Sequence, residues 1–597
     1  MEQLTIPRMV FGRVARQGDR LAVRHRRGGV FHDLSWNQYG EAIADVARGL
    51  EALGLEEGQR TAILSNTRIE WHFADLGTQS LAGIAVGIYP TLLAEEVGFI
   101  LRDCGAKVVF CEDWTQYEKV VQVRAQCPEL LQIVLLDPEG VQLGADVLSL
   151  DQLRAKGAQL READPGGFGD LLKRGKPDDL FTIIYTSGTT GRPKGAMISH
   201  NNALSVCRAI EELNIISERD VSIEYLPLAH AYERIGGMLL GLYAGGVTAI
   251  AESFETLRDD IITVQPTVMV GVPRVFEKIY DSIRNSVEQS GTARRKLFEW
   301  ALSVGREALP YRLKRLPLPY QLKLRYALAD KLVFTRLAQK LGGRLRFALS
   351  AAAPLSQEII EFYFSLGVTL LQGFGMTECS APAAITTPED PAIGTVGKPL
   401  SCNEIKLADD SEVLIRGANV FKGYWNNPKD TAEALDDKGW LHTGDIGVID
   451  ADGNLIITDR KKHLIITAGG KNIAPVAIEN ALKSEPYITE ALAYGDRRPY
   501  LVALLTVDEE RIQSFAHEQQ IQADDFATLL NNPSIKVLID HCVEKANLTL
   551  PRFEQIKRFH ILPGQFSIED GTLTPTLKLK RRKIIERYSE LIDEMYN

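Results

Sequence analysis

The stretch from Tyr185 to Lys194, Tyr-Thr-Ser-Gly-Thr-Thr-Gly-Arg-Pro-Lys, concentrates groups able to handle a polyphosphate. Thr186, Ser187, Thr189 and Thr190 offer hydroxyls as donors or metal contacts. Gly188 and Gly191 let the backbone come close and turn its N–H groups inward. Lys194 adds a compact positive charge for phosphate oxygens, and Pro193 stiffens the exit. The spacing is not Gly-x-x-x-x-Gly-Lys-Ser/Thr, so an ordinary P-loop hydrolase is disfavoured. By composition alone such a run is a surface loop. The apolar, β-branched strand Leu180 to Ile184 in front of it and the Pro-Lys-Gly ending argue for a built site.

Further groups of this kind recur downstream. His230 stands in Tyr225-Leu226-Pro227-Leu228-Ala229-His230-Ala231-Tyr232-Glu233-Arg234. Arg346 to Leu355 is a strand ending in the small residues Ala351, Ala352, Ala353 and Pro354. Leu370 to Glu378 ends a second strand in Gly373-Phe374-Gly375-Met376-Thr377-Glu378, which offers a ring for stacking, a hydroxyl for phosphate and a hard carboxylate for Mg²⁺. Asp445 sits in the tight turn of Thr443-Gly444-Asp445, and Asp459-Arg460-Lys461-Lys462 is a charged tetrad between apolar strands. Near the end stands Leu573-Thr574-Pro575-Thr576-Leu577-Lys578-Leu579-Lys580-Arg581-Arg582.

Taken in this order, the motifs resemble those of the adenylate-forming (AMP-binding) superfamily. The Ala-x-x-Glu-Arg continuation after His230 and the Leu-Thr-Pro-Thr-x-Lys-x-Lys-Arg ending look like its long-chain acyl-CoA synthetases. The resemblance implies ATP-dependent activation of a fatty acid through an acyl adenylate to its CoA thioester, with release of pyrophosphate and AMP. It implies catalytic roles for Lys578, Glu378, Thr186, Lys194 and His230, with Mg²⁺ held through Glu378 and Thr186. Nucleotide contacts would come from Thr186 to Gly191 and Lys194, from Ala352, Ala353 and Pro354, from Gly373 to Thr377, and from Asp445 (ribose) and Arg460. Lys462 matches the pivot of an inter-domain hinge, and Gly469, Gly470 and Lys471 fall on the CoA side. Phe374 replaces the usual tyrosine, so stacking remains and a hydroxyl is lost. The Lys-x-x-Arg-Arg frame selects Lys578, with Lys580 the fallback. The alternatives are an acyl-AMP ligase that passes its product to a carrier protein or other acceptor, and a synthetase for medium-chain or aryl acids.

The elements that must hold these residues are legible as an alternation. Helical spacing in Tyr39 to Leu53, Trp71 to Ala82 and Glu95 to Cys104 is interleaved with apolar strands at Thr61–Leu64, Ile84–Ile88 and Val108–Phe110. Such alternation predicts βαβ units and mostly parallel sheets layered with helices. The expected organisation is α/β: a large N-terminal domain, 1–458, a hinge, 459–462, and a small mobile α+β domain, 463–597. In Ile235 to Ala251, a long uncharged run, five glycines either leave room for an alkyl chain or permit close packing.

Composition bounds the partners. A net charge of −10 over 597 residues argues against a general nucleic-acid binder. Seven scattered cysteines form no Cys-x-x-Cys pair and suit reduced thiols in a cytosol-like compartment. Between Ala293 and Arg346, fourteen Lys/Arg face three acids, interleaved with Trp300, Tyr311, Tyr320 and Tyr326. That segment is read either as solvated helices or as a peripheral docking surface for the anionic inner face of a membrane. Chain-length preference and oligomeric state are not encoded in any local pattern.

Overall fold

The computed structural model describes residues 4–186, 192–467, 472–567, 569–574 and 578–597. Ser187, Gly188, Thr189, Thr190 and Gly191 of the phosphate-type loop, and Gly469, Gly470 and Lys471, lie outside the described residues.

The N-terminal alternation closes into a seven-stranded sheet, ordered Val147–Ser149, Gln132–Leu135, Ala106–Cys111, Arg60–Leu64, Ile84–Ile88, Leu180–Thr186, Lys194–Ser199. Neighbours run parallel until the last pair, which is an antiparallel hairpin with Thr186 opposite Lys194. Helices cover both faces, and the strand interiors, such as Ile63, Val109, Ile133 and Ile183, are fully buried, as parallel strands require. The helix expected from Tyr39 begins at Trp36 because Ser35 caps it. The Ser35 Oγ accepts from the Gln38 N–H at 3.3 Å, and the Gln38 side chain accepts from the Ser35 N–H at 2.9 Å. That helix buries Tyr39, Ile43, Val46 and Leu50 and packs chiefly on the helices Ile69–Ser80 and Leu150–Ala163.

A second sheet runs Val268–Gly271, Phe347–Ser350, Leu370–Met376, Ala381–Ile385, Lys398–Pro399. Its first three strands are parallel, so the segments after Ser350 and Met376 emerge at one edge. Leu370–Met376 then pairs antiparallel with Ala381–Ile385. A Cβ on Gly375 would lie 1.9 Å from the Ala381 carbonyl oxygen, so only glycine fits this crossing. An antiparallel meander, Asn403–Leu407, Glu412–Gly417, Leu441–Ile449, Leu455–Arg460, follows.

The run Ile235 to Ala251 folds into helical turns and the strand Val247–Ile250. Gly241 and Gly246 serve packing there: added Cβ atoms would meet Thr248 Oγ1 at 3.0 Å and the Asp220 carbonyl at 2.6 Å. No helix among the described residues is long and apolar enough to cross a membrane. The last part of the chain builds its own core, Ile478, Leu482, Leu505, Ile535 and Ile539, around the three-stranded sheet Ile488–Tyr494, Leu501–Val507, Ile556–Ile561.

The charged tetrad is not wholly a turn. Asp459 and Arg460 belong to the strand Leu455–Arg460, and the turn begins at Lys461. Asp459 is buried and accepts from the Val476 N–H at 3.2 Å, while Arg460 stands opposite Asp445 in the ladder. Cross-strand pairing overrides the local preference of a charged run for solvent.

Candidate active site

Strand edges from both sheets and from the meander converge with the C-terminal hairpin. Lys194 starts the strand after the loop and lies 2.6 Å from Asp430, its Nζ 5.3 Å from the ring centre of Tyr424. Thr186 is its ladder partner, and the Thr186 hydroxyl leans toward the Lys194 carbonyl at 3.5 Å. The preceding Tyr185 is fixed by a hydrogen bond to Asp103 at 2.5 Å.

Glu378 and Thr377 are buried in the single turn Thr377–Cys379 that ends the strand Leu370–Met376. The Tyr424 hydroxyl donates to Glu378 Oε1 at 2.7 Å, and the Glu378 carbonyl accepts from the Phe421 N–H at 2.9 Å. Tyr424 is pushed well above the ordinary phenol range by burial and then by Glu378, so it remains a donor. Phe374 and Met376 pack at the edge of the cluster around Ala383, Ala384 and Phe421. Ala352 is held at φ 73°, in the left-handed region, and Ala353 and Pro354 are exposed beside it at the sheet edge.

Asp445 is buried and accepts from Arg460 Nε at 2.8 Å. Burial raises the Asp445 pKa in spite of Arg460, whereas Arg460 is held charged above its ordinary value chiefly by Asp445. The pair remains ionic, with the guanidinium partly open to solvent.

Lys578 enters from the far end of the chain. Its hairpin is closed by the Thr574 N–H donating to the Lys578 carbonyl at 2.8 Å and by pairing of Leu573 with Leu579. Arg581, just beyond, pairs with Glu479 and donates to the Ala493 carbonyl at 2.7 Å, pinning the hairpin to the three-stranded sheet. Lys578 keeps an exposed face, while protein crowds the rest of its surroundings. Burial and the neighbouring Arg460 charge bring its pKa down to about 8, against the pull of Asp445 and Glu378. Lys578 in turn acts with burial to push His230 down to about 3. His230 is therefore neutral, and its Nδ1 accepts from the Tyr232 N–H at 3.1 Å, leaving the ring proton on Nε2.

The fold thus gathers His230, Glu378, Asp445, Arg460 and Lys578 within electrostatic reach, and ties Lys194 to Glu378 through Tyr424. Lys462 stays exposed on the turn after the meander. Sequence reasoning passed over Tyr424 and Asp430, which sit in Gly423-Tyr424-Trp425 and Asn427-Pro428-Lys429-Asp430. The one available signal was an aromatic pair after a glycine, which has many structural explanations.

Residues 10–425 match the AMP-binding enzyme family, and residues 462–597 match the AMP-binding enzyme C-terminal domain. The long-chain-fatty-acid–CoA ligase FadD15 of Mycobacterium tuberculosis is 34% identical over 605 residues, covering 100% of this chain and 98% of that protein. The human long-chain-fatty-acid–CoA ligase ACSBG1 is 32% identical over 633 residues, covering 99% of this chain and 85% of its own length. Among solved structures, the A domain of a carboxylic acid reductase from Segniliparus rugosus, in complex with AMP and a co-purified carboxylic acid, superposes with a TM-score of 0.76. It is 22% identical and covers 100% of this chain and 94% of that one. The anthranilate CoA ligase AuaEII, in complex with anthranoyl-AMP, gives a TM-score of 0.72 at 19% identity, covering 99% and 98%. The fold is that of the adenylate-forming enzymes, and the chain belongs to the AMP-binding enzyme family.

Proposed function

We propose that the protein is a long-chain-fatty-acid–CoA ligase. The observation that carries the chemistry is the meeting of Lys578 with Glu378, Asp445, Arg460 and His230, groups drawn from both ends of the chain. The long-chain assignment is supported by the full-length relatives of that name at 34% and 32% identity.

A carboxylate resists attack because its leaving group would be oxide. Its oxygen attacks the α-phosphorus of ATP, the bond to pyrophosphate breaks, and the acyl group now carries AMP as a leaving group. Lys578 and Lys194 face the charge that spreads over the transferring phosphoryl group, and the first loop supplies backbone donors. Asp445 accepts from the ribose hydroxyls, with Arg460 orienting it. Neutral His230 presents Nε2–H beside the carboxylate being activated. The residues fit Mg²⁺: Glu378 Oε1 is occupied by Tyr424, Oε2 has no protein hydrogen bond among the described residues, and Thr186 lies beside Lys194. No cluster of three or more acidic, His or Cys side chains forms a metal cage among the described residues. Such a cation is held mostly by substrate phosphates, where it neutralises charge.

The thiol of CoA then attacks the acyl carbonyl, and AMP leaves. Lys578 occupies the face that this step needs, so the C-terminal unit, 463–597, turns about the segment 459–462, with Lys462 as pivot, and brings the Gly469–Lys471 loop in. ATP- and CoA-dependent thioester formation across acetate, C8, C16 and an aryl acid tests the reading. A maximum at C16 is expected, and a maximum at the aryl acid or acetate overturns the long-chain assignment.

The basic segment supports peripheral docking on an anionic membrane. Tyr320, Leu324 and Leu328 lie on one face of the helix Tyr320–Ala329, with 76%, 56% and 49% exposure, while Leu322 and Ala329 face the core. Leu316 adds another 53% exposed apolar side chain, and Lys314, Arg315, Lys323 and Arg325 surround the row. Cosedimentation with phosphatidylglycerol vesicles at low salt is expected, with loss in L324D/L328D. Equal recovery with neutral vesicles would overturn the electrostatic part.

A further inference from the structure

Tyr424 stands between the two groups that would handle the phosphates of ATP. Its hydroxyl donates to Glu378 Oε1 at 2.7 Å, and Lys194 Nζ lies 5.3 Å from the centre of its ring. The residue is fixed from several directions. Its N–H donates to Thr431 Oγ1 at 2.8 Å, and it pairs across a bridge with Ala196 on the strand that Lys194 begins. Phe421 meets its ring edge-on at 5.0 Å. Lys422 and Trp425 donate to the Met197 and Gly195 carbonyls at 2.9 Å and 2.7 Å, so the segment 422–425 runs as an extra edge along Lys194–Ser199. Lys194 is steadied on its other side by Asp430, which also takes the Asn427 amide at 2.9 Å.

A carboxylate with one oxygen committed to a strong donor has a defined free oxygen, and a cation over a phenol face has a defined height. Loss of the donor would let Glu378 rotate about its last bond, and loss of the ring would leave Lys194 held by Asp430 alone. We propose that Tyr424 is a positioning residue for ATP activation: its hydroxyl directs Glu378 Oε2 toward the divalent cation on the phosphates, and its ring sets Lys194 over the same phosphates. The inference rests on the reading that this site uses ATP with a divalent cation.

The test separates the two halves of the side chain. Tyr424→Phe removes only the hydroxyl, and Tyr424→Leu removes the ring as well. Mn²⁺ binding is followed by electron paramagnetic resonance on the intact protein with α,β-methylene-ATP, alongside steady-state kinetics and thermal melting. In Tyr424→Phe, Mn²⁺ affinity should fall by roughly 10- to 100-fold, the usual effect of deleting an outer partner of a metal ligand. The fatty-acid KM and the melting temperature should hold. Tyr424→Leu should additionally weaken the ATP analogue itself. Unchanged Mn²⁺ affinity in Tyr424→Phe, or parallel losses in fatty-acid KM and melting temperature, would overturn the proposal. If the unsubstituted protein binds no Mn²⁺ with the analogue, the parent reading fails and the role of Tyr424 fails with it.

Discussion

One helical turn behind His230, Arg234 pairs with Asp75; between the C-terminal unit and the rest of the chain, Arg274, Glu277, Lys483 and Glu490 form a second charged group. The two are built in opposite ways. Arg234 is 1% and Asp75 0% exposed, and the guanidinium lies between the rings of Trp71 and Phe181, 5.0 Å and 5.1 Å from their centres. It reaches both Asp75 oxygens and also Thr182, whose hydroxyl donates to the Ala85 carbonyl at 2.7 Å. In the interdomain group the pairs Arg274–Glu490, Lys483–Glu277 and Lys483–Glu490 are 3.7 to 3.8 Å apart, beyond hydrogen-bond length, with side chains 15% to 30% exposed. Burial works against the Lys483 charge, but Glu490 and Glu277 outweigh it and raise its pKa. Glu490 is itself raised, chiefly by burial and further by Glu277, against the pull of Lys483 and Arg274. A dry, saturated pair defines a fixed floor. A loose, wettable group can part and re-form, which would suit the proposed turning of the C-terminal unit about 459–462.

The contrast can be broken first at the floor. Asp75→Ala leaves Arg234 charged and alone in the core, and should lower stability by about 3–5 kcal/mol, measured by denaturant unfolding. Both half-reactions should fall together.

Lys578→Ala is next. Adenylation, followed as pyrophosphate release, should drop by about 10²- to 10³-fold, while thioester formation from supplied acyl adenylate stays within a few-fold. Equal losses in both steps would remove the lysine from its assigned place.

The pKa of about 8 gives a pH test with a definite sign. The ammonium is the useful form, and its folded pKa lies below the ordinary lysine value of 10.5. Adenylation kcat/KM for ATP should therefore be held below pH about 8 and fall as pH rises through it, by up to about tenfold per unit. Bound phosphates favour the charged form, so kcat should hold to higher pH.

The smallest effect belongs to the interdomain group. Lys483→Glu should slow adenylation by about fivefold, in line with the ~1 kcal/mol of a partly exposed pair, and spare the thiol step. The charge exchange Lys483→Glu with Glu277→Lys should recover most of it. A Lys483→Glu loss that survives the exchange would mean that packing, not charge, joins the halves.

The sequence by itself determined the alternation of helices and strands. The strands Ile84–Ile88 and Arg60–Leu64 fall within a residue of their apolar runs, because burial on both faces leaves an uninterrupted pattern. It also determined the chemistry-bearing types at Glu378, Asp445 and Lys578, since those stretches carry their order locally. Helix starts moved where a cap decided them, as at Ser35, and the charged tetrad split because Arg460 found Asp445 across a ladder. Only the tertiary structure decided which groups meet. Tyr424 reaches Glu378 across 46 positions, and Lys578 acts on His230 from the other end of the chain. Such contacts depend on how strand edges and the C-terminal hairpin are stacked, and a one-dimensional pattern holds no record of that distance. The same holds for charge: whether Arg234 is a core ion and Lys483 a releasable one is set by what surrounds them, not by their being basic.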